Sequence, residues 1–194
     1  MPLHTPSPPD WPSLLDLAVS QSGYFTTAQA ATLGFSPELL IHHTHAGRIL
    51  RARRGIYRVR HLPPQDDEDL VVLWLWSARE GVFSHATALA LHDLSDILPD
   101  IAELTLPLTW RTRRLSVPAG VVLHHADLMA TDWTWVGNVP VTSVARTLRD
   151  CAAVPLPPDI LQQATEQALR RGLVAPDEAA RLGRSPKPAP GLLT

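Results

Sequence analysis

The stretch SPELLIHHTHAGRILRARRGIYRVR, residues 36–60, decides the fold of the N-terminal part of the chain. It opens with Ser36 and Pro37, an N-cap residue followed by proline at the first helical position. The predicted helix runs to Gly47, a residue type that favours a helix C-terminus. Residues 49–60 then read as two short strands joined by a turn at Gly55. A helix followed by such a hairpin is typical of the recognition half of a winged helix-turn-helix.

The predicted hairpin is strongly basic. Six arginines fall within residues 48–60, and no acidic residue occurs between Glu38 and Asp66. Cations packed this closely repel one another unless a polyanion lies near them, so phosphate contact is favoured over an ordinary solvated face. The candidate DNA-binding residues are Thr27, Ser36, His42, His45, Arg48, Arg51, Arg53, Arg54 and Arg58.

Two of the arginines have an alternative role, and the helix before them has two distinct faces. Arg58 and Arg60 could instead pair with the acidic stretch Asp66–Asp69, which would remove them from the site. On the helix, helical spacing separates two faces. We assign one to the core (Leu40, His43, Thr44, Gly47) and the other to the groove of DNA (Glu38, Ile41, His42, His45).

The preceding residues predict the rest of a winged-helix module. Apolar residues recur at helical spacing over Trp11–Gln21, and Tyr24-Phe25 reads as a short extended piece. Thr26-Thr27 is expected to cap a second helix, Ala28–Leu33. The order is therefore helix, helix, turn, helix, hairpin.

Beyond residue 60 the pattern changes to a mixed α/β domain. Residues 61–69 are polar, contain two prolines and read as a linker. We expect three domains or segments: a winged helix over 1–62, an α/β domain over 66–182 and a disordered tail over 183–194. Strands are predicted at 102–108, 120–125 and 135–141, and helices at 70–78, 85–94, 144–153, 158–172 and 177–182. The predicted fold class is α+β.

Charge is divided between the two halves. The 194-residue chain has a net charge of −2, but residues 1–62 carry +3 and residues 63–194 carry −5. The basic N-terminal part is therefore expected to contact phosphate, and the acidic C-terminal part to contact a different kind of partner. With one cysteine, no secretory signal and no apolar run long enough for a bilayer, we expect a cytoplasmic protein without a membrane partner.

Four pieces of the chain together resemble a known family. They are 23–34 (GYFTTAQAATLG), 47–57 (GRILRARRGIY), 84–94 (SHATALALHDL) and 139–150 (VPVTSVARTLRD). Their order and spacing resemble the AbiEi-like antitoxins of bacterial AbiE-type (type IV) toxin–antitoxin systems, over roughly residues 11–182. The resemblance implies an N-terminal winged helix that represses its own operon. It also implies a C-terminal domain that counteracts a nucleotidyltransferase-like toxin, often without stable binding. The histidine-rich recognition helix departs from the family, where basic residues are common.

Signs of catalysis or metal binding are few. The chain has no Walker A, HExxH, GxSxG or CxxC motif. Asp100 and Glu103 resemble a nuclease pair without its lysine, and Asp67 with Asp69 has only the spacing of a nucleotidyltransferase. Histidines that neighbour one another in sequence point apart on a helix or strand, so we expect no metal site, and His85 and His92 are interpreted as structural. Arg146 and Asp150 are interpreted as an i,i+4 pair on a helix.

These observations lead to one principal prediction. We expect a non-enzymatic antitoxin and autorepressor without a cofactor, which binds double-stranded promoter DNA as a monomer or weak dimer. The alternatives are a plain DNA-binding transcription regulator whose second domain senses a ligand or dimerises, or a DNA nuclease that uses Asp100 and Glu103. The discriminating observation is a nucleotidyltransferase-like gene beside this one.

Overall fold

The computed structural model describes residues 8–182, and the chain divides into two compact units between Arg79 and Glu80. The predicted tail, 183–194, lies outside the described residues. The α+β class is confirmed: the first unit is a winged helix-turn-helix and the second a mixed α/β fold. No helix of the described residues is long and apolar enough to cross a bilayer.

The first unit follows the predicted winged-helix order. A three-stranded antiparallel sheet, in the order β1-β3-β2, packs with the helices. The elements are α1 (Trp11–Val19), β1 (Tyr24–Thr26), α2 (Thr27–Thr32), α3 (Pro37–His45), β2 (Ile49–Arg53), β3 (Ile56–Val59) and α4 (Glu68–Trp76).

Side-chain caps determine where the first three helices begin. Asp10 accepts a hydrogen bond from the Ser13 backbone N–H at the start of α1. Thr26 and Gln29 form a reciprocal capping box at the start of α2, so the cap is Thr26 and the helix begins at Thr27 rather than Ala28. Ser36 accepts from the Leu39 N–H and starts α3, as its sequence predicts.

The core of the first unit includes a histidine. Phe25, Phe35 and Leu40 are fully buried among the aliphatic side chains of α1, β2 and β3. The His43 ring is also buried and packs edge-on against Trp11, with ring centroids 4.7 Å apart. Its Nδ1 has no hydrogen-bond partner among the described residues. His43 therefore occupies a position that an aromatic hydrocarbon ring could fill.

Helix α4 belongs with the winged helix, whereas the sequence placed its residues at the start of the second domain. The Tyr24 hydroxyl donates to Glu68 Oε2 over 3.0 Å, and Ser22 Oγ donates to Asp67 over 2.6 Å. These bonds connect the start of α4 to the first residue of β1 and to the turn before it. The units consequently divide after α4, at Arg79, ten residues beyond the end of the 61–69 linker.

The second unit is built on a mixed five-stranded sheet in the order β6-β5-β4-β8-β7. Strand pairs β4-β8 and β5-β6 are parallel, and the other two are antiparallel. Its helices and strands are β4 (Val82–Phe83), α5 (His85–Leu91), β5 (Ala102–Leu106), β6 (Val121–His125), β7 (Trp133–Val136), β8 (Val139–Thr142), α6 (Val144–Ala152), α7 (Pro158–Arg170) and α8 (Pro176–Leu182). The sequence missed β4, and it joined β7 and β8 into one segment around the turn at Gly137-Asn138.

A separate apolar core holds the helices of the second unit. Leu89 and Leu94 of the α5 region pack with Leu148 and Cys151 of α6 and with Ala164 of α7, all of them buried. Burial raises the pKa of the Cys151 thiol to about 12. At neutral pH this cysteine is a small apolar side chain.

The buried His43 predicts a dependence of stability on pH. Burial, followed by the charges of Arg48 and His42, holds the pKa of His43 below its ordinary value. The unfolded chain takes up a proton near pH 6.5 while the folded ring stays neutral, so the free energy of unfolding falls as the pH decreases through that value. His43→Phe keeps a ring beside Trp11 and should reduce this loss between pH 7.5 and 5.5, measured by urea denaturation.

His45→Ala, on the exposed face of the same helix, is the control and should retain the wild-type pH dependence. His85 and His92 also have pKa values lowered by burial, so part of the dependence should remain in His43→Phe. A wild-type pH dependence in His43→Phe would contradict the assignment.

Candidate nucleic-acid interface

Helix α3 presents one polar face to solvent. Leu40 and His43 are buried, Thr44 and Gly47 half-buried, and the opposite face is exposed, with Ile41 54% exposed. This confirms the predicted division into a core face and an outer face. The outer face, which we call the α3 face, consists of Glu38, Ile41, His42 and His45.

One acidic group lies on the α3 face. The pKa of Glu38 is lowered by hydrogen bonds from its own backbone N–H and from the Ser36 hydroxyl. It is therefore a carboxylate at neutral pH, placed in the first turn of α3, where the helix dipole favours an anion. A carboxylate repels phosphate but can accept a hydrogen bond from a cytosine amino group in the major groove.

The β2-β3 hairpin forms the wing and carries its arginines outward. Its register shifts between Arg51 and Arg53, where a bulge bends the strand, and Gly55 closes the turn at a φ of +76°. The Thr27 N–H donates to the Gly55 carbonyl over 2.9 Å, which connects the wing turn to the start of α2. Thr27 therefore lies beside the wing, and its hydroxyl also approaches the Gly55 carbonyl, at 3.4 Å.

Five arginines of this region are exposed. Within residues 8–182 they form no ion pair with any acidic side chain. Backbone pairing of the Arg60 N–H with the Arg48 carbonyl, at 3.1 Å, brings the two ends of the hairpin together just after α3. The five, which we call the wing arginines, are Arg48, Arg51, Arg53, Arg54 and Arg60.

Arg58 does not belong to this exposed group. Its side chain is 13% exposed and donates to Glu68 Oε1 through Nε and Nη2, at 3.1 and 2.9 Å. Nη2 also donates to the Leu62 carbonyl over 2.9 Å. For Arg58, the structure therefore contains the alternative that the sequence left open, namely pairing with the acidic stretch at 66–69. Arg58 therefore connects β3 to α4 and is removed from the candidate DNA-binding set.

Asp67 and Asp69 lie at the start of α4 in the first unit, whereas the second unit contains the other residues considered for catalysis. Asp100 is exposed before β5, while the Glu103 carboxylate accepts from the Ala86 N–H at 2.8 Å and faces His124 at 3.1 Å. Arg146 and Asp150 form the predicted pair, at 2.8 Å. The sequence did not indicate the third member of this ion-paired group, the buried Asp132, which Arg146 contacts at 3.2 Å. These two residues are fourteen positions apart and meet only through the β7-β8 hairpin.

The Arg58–Glu68 pair predicts that Arg58 contributes more to the stability of the folded chain than Arg54 of the same hairpin does. Arg58→Ala leaves Glu68 without its cation and Leu62 without a donor, which should lower the free energy of unfolding by about 1–3 kcal/mol. Arg54→Ala, at the exposed wing turn, should change it by less than about 0.5 kcal/mol. Urea denaturation of the full chain measures both, and equal effects would contradict the structural role of Arg58.

Comparison with known proteins agrees with this architecture. The crystal structure of the RV2827C protein from Mycobacterium tuberculosis is similar to this chain in fold, with a TM-score of 0.56. The two are 16% identical, over 88% of this chain and 70% of that one. No curated protein matches the sequence. A family model described as "Transcriptional regulator, AbiEi antitoxin" matches residues 12–60. The N-terminal region of this chain, from α1 to the end of the wing, is therefore similar to the AbiEi antitoxin family of transcriptional regulators.

Proposed function

We propose that this protein is an antitoxin that represses its own operon by binding promoter DNA through the α3 face and the wing arginines. The observation that supports it best is the set of five exposed arginines without acidic partners, beside a helix with one free polar face. Unpaired cations on a hairpin gain the most when they neutralise phosphates, since each contact releases counterions from the duplex.

Within this proposal the two elements have different roles. Helix α3 enters the major groove, where His42 and His45 can hydrogen-bond base edges and Ile41 can meet thymine methyl groups. The wing arginines contact the adjacent backbone or the minor groove. In this proposal the hydroxyls of Thr27 and Ser36, at the starts of α2 and α3, contact phosphates of the duplex. A monomer or weak dimer on DNA is sufficient for such a module.

The wing predicts the salt dependence of binding. Arg53→Ala combined with Arg54→Ala removes two phosphate contacts and should reduce the slope of log K against log salt by about 0.9 for each arginine. Specific and random duplexes should lose affinity alike, because phosphates carry no sequence information. Fluorescence anisotropy with the promoter duplex at several salt concentrations measures both quantities.

The charge-matched control is Arg170→Ala with Arg181→Ala, which removes two exposed arginines from the second unit. Its slope should equal that of the wild type. If the wing variant kept the wild-type slope, or the control lost as much as the wing variant, the wing would have no part in binding.

For the second unit we propose the antitoxin activity itself, namely suppression of a nucleotidyltransferase-like toxin encoded beside this gene. The toxin could be suppressed directly or by opposing its effect. The competing proposal is a plain transcription regulator, in which the second unit only senses a ligand or dimerises. The two differ in whether the chain protects cells from the toxin.

Co-expression with that toxin separates the two activities. The full-length Arg53→Ala/Arg54→Ala variant should restore growth as well as the wild type, yet fail to repress a promoter reporter. Residues 1–79, which contain the whole first unit including α4, should not restore growth. Rescue by residues 1–79 alone, or failure of the full chain to rescue, would contradict the antitoxin proposal and leave a simple repressor.

A further inference from the structure

Three metal-ligating side chains meet at one place in the second unit. His85 is the first residue of α5, Glu103 lies on β5, and His124 lies on the neighbouring parallel strand β6. One nitrogen or oxygen from each lies within 4.8 Å of the other two. Two imidazoles and a carboxylate are the ligand set of many zinc sites with three protein ligands.

The cluster is connected to further hydrogen-bonding groups that hold its members in place. His85 Nδ1 lies 2.9 Å from Ser84 Oγ. In the tautomer whose Nδ1–H donates to this oxygen, the Nε2 of that ring can act as a ligand. Thr105 Oγ1 donates to the same Ser84 oxygen over 2.8 Å. Glu103 accepts the Ala86 N–H through Oε2, so Oε1 is the oxygen that faces His124. Metal ligands are commonly oriented by such outer partners.

A further carboxylate, Asp150, interacts electrostatically with His85. Asp150 Oδ1 accepts from Arg146, but its Oδ2 is buried without a hydrogen-bond partner among the described residues. A cation bound beside His85 would compensate the Glu103 carboxylate and would add to the compensation that Arg146 already gives Asp150.

The distances define what metal binding requires. His124 Nε2 and Glu103 Oε1 are 3.1 Å apart, close to the separation of about 3.3 Å between two ligands of a tetrahedral zinc ion with bonds of about 2.0–2.1 Å. The His85 and His124 rings are stacked at 3.6 Å, whereas a metal lies in the plane of each imidazole that binds it. One ring must therefore turn, and His124, whose side chain is 24% exposed, is the one with room.

We propose that His85, Glu103 and His124 bind a divalent transition metal of the zinc class. Imidazole and carboxylate together suit such ions better than calcium or magnesium, which prefer oxygen ligands alone. In the metal-free chain the hydrogen bond between His124 and Glu103 holds the two ligands together; on binding, the metal takes the place of the shared proton. Three protein ligands leave a fourth position open for water or for an anionic group of a partner.

Titration of the metal-stripped full-length protein with zinc tests the proposal. Calorimetry should show one ion per chain, and cobalt in place of zinc should give the visible absorption of a tetrahedral site. His124→Ala and Glu103→Gln should each weaken zinc binding by at least about 10-fold, the smallest loss typical even of residues outside the ligand set. Zinc should also raise the thermal midpoint of the wild type but not of His124→Ala.

Two controls separate this site from the other histidines. His125→Ala changes the next residue of β6, whose side chain points to the opposite face of the sheet, and should bind zinc like the wild type. His42→Ala/His45→Ala removes the exposed histidines of α3 and should do the same. Because His124 is partly exposed, its alanine variant should keep the wild-type circular dichroism, so that lost binding reports the ligand.

Three results would overturn the proposal. The wild type could fail to bind zinc at sub-millimolar concentrations. His124→Ala and Glu103→Gln could both bind as tightly as the wild type. Binding could be lost in His42→Ala/His45→Ala instead, which would place the ion on the first unit. DNA binding by the wing does not enter this test, so its outcome is independent of the proposed promoter function.

Discussion

Packing of the inner face of α3 against the α1 region determines which side chains the first unit can offer to DNA. Leu40 and His43 are buried beside Trp11 and Phe35, and a helix anchored on that side exposes only the opposite one. The burial of His43 also accounts for a histidine where an aliphatic residue would be expected. Its ring packs as an aromatic group and remains neutral, while His42 and His45 retain access to solvent.

The arginines illustrate how neighbouring charges divide one basic segment into two functions. Two guanidinium nitrogens of Arg58 donate hydrogen bonds to Glu68 of α4, so that this cation stabilises the unit. The wing arginines lie beyond the reach of the described acidic side chains and keep their charge available for a polyanion. A partly buried arginine that is paired with a glutamate and an exposed arginine without an acidic partner thus have different roles, although they belong to the same hairpin.

Local signals in the sequence predicted most of the first unit. The capping residues, the proline of α3 and the glycine of the wing turn act within a few residues, so the helix boundaries and the hairpin could be anticipated. The pairing of Arg58 with the 66–69 stretch was foreseen only as an alternative, since it depends on where α4 packs. The cluster of His85, Glu103 and His124 could not be foreseen. Its members are separated by some twenty residues each, and they meet only because β5 pairs with β6 on one side and, on the other, with β4, which leads into His85. The two-residue strand β4 is too short to show an alternation pattern.

The central claim is that duplex DNA lies against the α3 face and the wing. Amide hydrogen exchange of the full-length protein, with and without its promoter duplex, tests this directly, because a bound duplex slows exchange where it covers the backbone. The account predicts added protection in the first turns of α3 and over residues 48–55, with the second unit unchanged. Protection confined to the second unit, or absent from both α3 and the wing, would contradict it.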